Sequence, residues 1–236
     1  MPQSALILAG GFGTRLQTVV NDVPKPMAPV NGQPFLNYLL RYLKHYGIRK
    51  VCLSVGYLHE KISEYYKDEF EGIHITYSIE EIALGTGGGI RKALAGMNEK
   101  EIFALNGDSF FDVNLREFYK AHQTYGATIS LALREVQNAA RFGTIVSNKQ
   151  YRILSFKEKS GEERPGMING GVYILDRDVY LDSTKADSVF SIEKDFFETE
   201  LSRIPMMGFP FTGHFIDIGI PEEFAKAQHE FKQFTY

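Results

Sequence analysis

A single cysteine, Cys52, stands among the 236 residues, so the chain can form neither an internal disulfide nor a Cys-rich metal site. Tryptophan is absent, which disfavours an aromatic cage for a quaternary ammonium ligand. Charge of one sign is scarce too: 26 Lys and Arg against 29 Asp and Glu leave a net charge of −3, and the basic residues are scattered. That argues against a nucleic-acid groove, whereas a small anionic ligand needs only a local positive site. No apolar run approaches the ~20 residues of a membrane span, and Met1-Pro2-Gln3-Ser4 carries no basic segment of a signal peptide. Nor is there a hexapeptide repeat of the kind that builds a β-helix. These absences predict a cytoplasmic protein with small-molecule substrates, no nucleic-acid partner and no membrane, and they leave a homodimer open.

What is present reads as an α/β protein. Short apolar runs, Ala5-Leu8, Val51-Val55, Ile73-Tyr77 and Ile102-Leu105, alternate with amphipathic segments, the pattern of βαβ units around a mainly parallel sheet. Cys52, inside the second run, is expected to be buried. Phe35 to His45 places Leu36, Leu39, Leu40 and Leu43 on one helical face, Leu58 to Tyr66 reads as a second helix, and Leu115 to Gln123 as a fourth. The third is expected to start after the glycines at 87 to 89. Beyond Gly126 the runs 127–132, 143–147, 153–156 and 167–175 follow with few helices between them, predicting a mixed or antiparallel extension of the sheet. Helical patterns return at 192–200 and at Pro221 to Phe231, where Pro and two acids suit a helix start. The expectation is one domain over 1–236, in two halves, 1–125 and 126–236.

The chemistry concentrates in glycine-rich stretches. Leu6 to Leu16 is a buried strand entering a loop with Gly10, Gly11, Gly13, Thr14 and Arg15. Glycines let backbone N–H groups approach an anion, and a guanidinium offers a planar fork of donors to phosphate oxygens. A Walker A loop would need Gly-Lys-Ser/Thr at its end, and a dinucleotide fingerprint from Gly11 would need Gly where Leu16 stands. Both are excluded. Val23-Pro24-Lys25-Pro26-Met27 then fixes one lysine between two prolines. Asp108 follows a strand end in Asn106-Gly107-Asp108, and Asp217 lies within the apolar run Phe215 to Ile218, where a carboxylate needs a partner.

The combination Gly-Gly-Phe-Gly-Thr-Arg-Leu and Pro-Lys-Pro-Met resembles the signature of the sugar nucleotidylyltransferase family, over essentially the whole chain. The resemblance implies a Rossmann-like three-layer fold with a mixed central sheet, and transfer of a nucleotidyl group to a sugar 1-phosphate with release of pyrophosphate. It implies that Asp108 and Asp217 hold Mg²⁺, and that Arg15, Lys25 and Asp108 act on the reacting phosphates. Nucleotide contacts are implied for Leu8, Ala9, Gly10, Gly11, Gly13, Thr14, Arg15 and Gly107, with Gly85 and Thr86 of the Leu84-Gly85-Thr86-Gly87 stretch and Glu80 or Glu81 upstream at the base. In the second half Gly143, Glu158, Lys159, Asn169 and Gly170 match segments that line the sugar phosphate. The Leu-Gly-Thr form is similar to guanylyltransferases, which points to GTP. The motif order most resembles the heptose 1-phosphate guanylyltransferases, whose GDP-sugar would feed surface polysaccharide synthesis, with mannose 1-phosphate guanylyltransferases and uridylyltransferases next. Phe215 and Ile220 depart from the Trp and Thr of many members.

Two other classes remain to be weighed. A glycosyltransferase of related fold would show an Asp-x-Asp pair, which Asn106-Gly107-Asp108 does not supply. A non-catalytic nucleotide-sugar sensor would be expected to lose Arg15, Lys25 or a metal acid, and all are present.

Overall fold

The computed structural model describes residues 1–11, 22–140, 142–157, 163–234 and 236. In chain order its first half contains β1 (Ser4–Leu8), β2 (Pro29–Val30), β3 (Gln33–Pro34), α1 (Phe35–His45), β4 (Lys50–Val55), α2 (His59–Tyr66), β5 (Glu69–Phe70), β6 (Ile73–Ile79), α3 (Gly85–Ala95), β7 (Glu101–Asn106), β8 (Ser109–Phe111) and α4 (Leu115–Thr124). The second half adds β9 (Ile129–Val136), β10 (Thr144–Ser147), β11 (Ile153–Lys157), β12 (Gly166–Asp176) and α5 (Arg177–Asp182). A π-helical stretch, Ile192–Phe197, then runs into α6 (Glu198–Glu200), followed by β13 (Met206–Phe211), β14 (Phe215–Asp217) and α7 (Pro221–Glu230).

Side-chain alternation explains the layers. Along β1, Ala5 and Ile7 enter one apolar cluster and Leu6 the other; along β7, Phe103 and Leu105 divide from Ile102 and Ala104 in the same way. Strands with both faces apolar must be covered on both. α1, with Leu36, Leu39, Leu40 and Leu43 buried, contributes to the first cluster, and Ile90, Ala93 and Leu94 of α3 with Tyr180 and Phe196 build the second. Local signals set the boundaries: Gly47 at φ +85° follows α1, and the Asn114 side chain accepts hydrogen bonds from the Arg116 and Glu117 N–H groups to start α4.

The main sheet runs β11-β10-β12-β7-β1-β4-β6-β5, with β9 also on β12 and β13 on β9. β1 is parallel to β4 and β7, and β4 to β6, while β12 is antiparallel to β7, β9 and β10. The expected three-layer α/β architecture with a mixed sheet is therefore observed. The chain moves outward from β1 to β6 and then returns to the other side of β1 as β7, so a topological switch point opens at the carboxyl ends of β1 and β7. No helix among the described residues is long and apolar enough to cross a membrane.

Several elements differ from expectation. α3 begins at Gly85, before the glycine run, because the chain at 188–190 lies against it: a Cβ on Gly87 would stand 2.2 Å from the Phe190 ring and one on Gly88 2.4 Å from the Ser188 carbonyl. β9 starts at Ile129 rather than 127, because the Ala127 N–H still bonds the His122 carbonyl in the exit from α4. β13, with Gly208 and Pro210 inside it, carries no periodic signal and is held by its parallel register with β9. Among the described residues the run at Phe215 stands apart from the main sheet and pairs with β8.

Candidate active site

β7 leaves the sheet where Asn106 is in register with Leu8, and the Gly107 N–H donates to the Leu8 carbonyl at 2.8 Å. A Cβ at 107 would lie 2.3 Å from that oxygen, so this turn accepts only glycine. The chain then reverses into β8, whose ladder with β14 sets Ser109 opposite Asp217, and the Ile218 N–H closes on the Asp108 carbonyl at 3.0 Å. Two acids separated by 109 positions thereby become neighbours.

Lys25 completes the group. The turn Lys25–Met27 is closed by the Met27 N–H on the Pro24 carbonyl at 2.7 Å, and Pro26 and Met27 are buried, which turns the lysine inward. Its Nζ donates to Asp108 Oδ2 at 2.6 Å and stands 3.8 Å from Asp217 Oδ1; the lysine side chain is 9% exposed, against 41% and 20% for the two acids. Asp217 Oδ1 also accepts the Gly219 N–H at 2.7 Å. The partly buried carboxylate of Asp217 thus has the partners it requires. Among the described residues no three or more His, Cys, Asp and Glu converge as a metal cluster. Two partly exposed carboxylates with hard oxygens nevertheless fit the sparse protein contribution usual for Mg²⁺.

On the other side of β1, the Ala9 N–H bonds the Ser54 carbonyl at 2.7 Å and brings Gly10 beside Gly56, just past the ends of β1 and β4. A cleft of about 300 Å³ opens there, lined by Gly10, Gly56, Tyr57, His59, Ile79, Glu80, Glu81 and Ala83. Glu80 is held in one orientation: Oε1 accepts the Ser54 hydroxyl at 3.0 Å and Oε2 accepts the Leu84 N–H at 2.9 Å. Gly85 and Thr86 stand outside that lining. They face the 188–192 segment instead, with the Thr86 hydroxyl oxygen accepting the Ile192 N–H at 3.0 Å and Gly85 at φ +72° against the Phe190 carbonyl.

In the second half, Asn169 sits at a register shift in β12. Its Nδ2 donates to the Tyr173 hydroxyl at 2.7 Å and to Glu193 Oε1 at 2.6 Å, and its Oδ1 accepts the Gly171 N–H at 3.0 Å. Burial pushes the Tyr173 phenol well up, aided by the Glu193 charge, while bonds from Asn169 and Asn106 oppose the shift. A Cβ on Gly170 would lie 2.3 Å from the Phe111 ring, and one on Gly143 3.2 Å from the Lys157 carbonyl. Glu193, Tyr173, Asn106 and Ser54 were not singled out from sequence. A charged residue in a helical segment and polar residues in strands give no local sign of such partners. Gly13, Thr14, Arg15, Arg141, Glu158 and Lys159 lie outside the described residues.

A second cleft of about 520 Å³ lies past Asp217, between the end of β9 and α7.

Comparison with known proteins places these features. Residues 4–233 match the family model for nucleotidyl transferases. The chain is 43% identical over 230 residues to the D-glycero-α-D-manno-heptose 1-phosphate guanylyltransferase of Aneurinibacillus thermoaerophilus, covering 98% of this chain and 99% of that one. It is 31% identical to the mannose-1-phosphate guanylyltransferase of Mycobacterium tuberculosis, covering 94% of this chain and 62% of that protein. In fold it is similar to HddC from Yersinia pseudotuberculosis, solved as a complex with GMP-PN, with a TM-score of 0.84, 32% identity and coverage of 97% and 99% of the two chains.

Proposed function

The chain belongs to the nucleotidyl transferase family, and on that premise we propose that it transfers the guanylyl group of GTP to D-glycero-α-D-manno-heptose 1-phosphate, giving GDP-heptose and pyrophosphate. The observation that carries this reading is the Lys25, Asp108 and Asp217 group at the switch point, one strand away from the Glu80 cleft. The near full-length likeness to a heptose 1-phosphate guanylyltransferase supports the choice of sugar.

An oxygen of the sugar phosphate attacks the α-phosphorus in line; the bond from that phosphorus to the bridging oxygen of the β-phosphate breaks, and pyrophosphate leaves with the electron pair. A phosphate monoester with second pKa near ~6 is mostly dianionic at neutral pH, so no dedicated base is required. Catalysis is positioning and charge neutralisation. In this proposal Lys25 meets the reacting phosphates, Arg15 and the amides of Gly10, Gly11, Gly13 and Thr14 hold the triphosphate, and Asp108 and Asp217 hold Mg²⁺. When bound, the ion supplies charge neutralisation to phosphate oxygens.

Glu80 supports GTP. Its carboxylate, fixed by Ser54 and Leu84, can accept two donors side by side, and guanine presents such a pair in N1–H and N2–H₂. Uracil presents one N–H between two carbonyls, which a carboxylate repels. Residues 1–125 are assigned to the nucleotide. Residues 126–236 are assigned to the sugar phosphate, with Gly143, Glu158, Lys159, Asn169 and Gly170 around it and Asn169 oriented by Glu193. A cytoplasmic setting is part of the proposal.

The test is pyrophosphate release across GTP, ATP, UTP and CTP crossed with heptose, mannose and glucose 1-phosphates. Highest kcat/KM is expected for GTP with the heptose; activity only with UTP, or only with glucose 1-phosphate, would overturn the assignment.

A further inference from the structure

The 520 Å³ cleft shares Asp217 with the phosphate centre and extends away from it toward α7. Phe142 and Phe215 line it with ring centroids 6.2 Å apart and an interplanar angle of 68°, giving apolar faces of the kind that cover sugar C–H groups. Glu223 and Lys226, three residues apart on one face of α7, also line it. Lys226 Nζ stands 3.9 Å from Glu223 Oε2 and 3.6 Å from Glu230 Oε1, beyond good hydrogen-bond range, so these groups keep capacity for a ligand. Asn138, whose Oδ1 accepts the Ala140 N–H at 3.0 Å, adds an amide to the lining.

The charge balance selects the ligand class. Among the described residues of the lining, Glu163, Asp217 and Glu223 face this space with Lys226 as the one cation, a balance that disfavours a second phosphate. A neutral polyol, with hydroxyls that both donate and accept, matches the mixed set.

We propose that this cleft holds the exocyclic tail of the acceptor sugar and that Glu223 and Lys226 are its specificity-determining residues. A manno-heptose differs from mannose by one extra CHOH beyond the ring, so this contact separates the two acceptors. The inference rests on the proposed function and adds to it the part of the protein that reads the seventh carbon. Glu223 accepts from a tail hydroxyl and Lys226 donates to one. A site built to bond a hydroxyl discriminates strongly against the analogue that lacks it.

The experiment measures kcat/KM of the whole enzyme for heptose 1-phosphate and mannose 1-phosphate at saturating GTP, in wild type, Glu223→Ala and Lys226→Met. Both positions are partly exposed helix sites, and Ala and Met are good helix formers, so folding is expected to survive; thermal melts check it. The heptose-to-mannose ratio should fall roughly tenfold in Glu223→Ala, the size of one hydrogen bond to a charged group, mainly through KM, with a smaller fall in Lys226→Met. A ratio unchanged in both folded variants, or equal losses for both sugars, overturns the inference while leaving the transferase intact. A wild-type enzyme inactive with both sugars overturns the proposed function, and the inference with it.

Discussion

Lys25 and Asp108, 83 residues apart, meet at 2.6 Å between Nζ and Oδ2, and the same ammonium stands 3.8 Å from Asp217. A lysine between two prolines and two acids on a short ribbon are brought together at the carboxyl end of β1. Two long-range contacts converge on one side chain, and the single ammonium offsets one of the two carboxylate charges in a partly buried site.

The trio is expected to act as a unit. Asp108→Asn and Lys25→Met should each lower kcat by about two to three orders of magnitude, and the double variant should lose far less than the product of the two. Steady-state pyrophosphate release checks this at saturating magnesium; independent, multiplicative losses would show that the pair does not work together.

Two glycines should separate by role. A Cβ at Gly107 meets the Leu8 carbonyl, which β1 cannot move without disturbing its pairing with both β4 and β7. Gly107→Ala should cost about 1–3 kcal/mol, or roughly 2–12 °C in Tm for a chain of this size. Among the described residues a Cβ at Gly11 meets nothing within 4 Å, so Gly11→Ala should leave Tm unchanged. Calorimetry on the two variants decides; equal melting points would refute the clash argument.

Glu80→Gln preserves shape and can still accept from Ser54 or Leu84, but it turns an N–H₂ toward the space assigned to the base. KM for GTP should rise at least about tenfold, the loss of one charged hydrogen bond, while UTP is penalised less. An unchanged KM for GTP would move the base away from Glu80.

His122 is buried, with Nδ1 2.8 Å from the Ser130 hydroxyl oxygen, and burial lowers its imidazole pKa although Glu101 pulls it partly back. The folded value lies below the unfolded one of about 6.5, so as pH falls the unfolded chain takes the proton first. Stability is fully present above about pH 6.5 and declines as pH falls toward the folded value. Burial lowers His214 in the same direction. Tm should drop between about pH 7.5 and about pH 5.5, and His122→Asn should make that drop shallower; superimposable profiles would count against His122.

The sequence by itself determined the elements whose causes are local. β1, β4, β6, β7 and α1 follow from apolar periods of 2 and 3.6, and the inward lysine follows from prolines that restrict the backbone on either side of it. The motifs around Gly10 and Lys25 also identified the family, because their residue types answer to phosphate chemistry. Tertiary structure alone decided what meets what. The β8–β14 ladder joins Asp108 to Asp217, the 188–192 segment forces glycine into the body of α3, and Glu193 reaches Asn169 across 24 residues. β13 exists because β9 offers it a partner, despite Gly208 and Pro210. Periodicity and dihedral limits act within a few residues, whereas these pairings depend on which strand lies beside which, and no local pattern encodes that order.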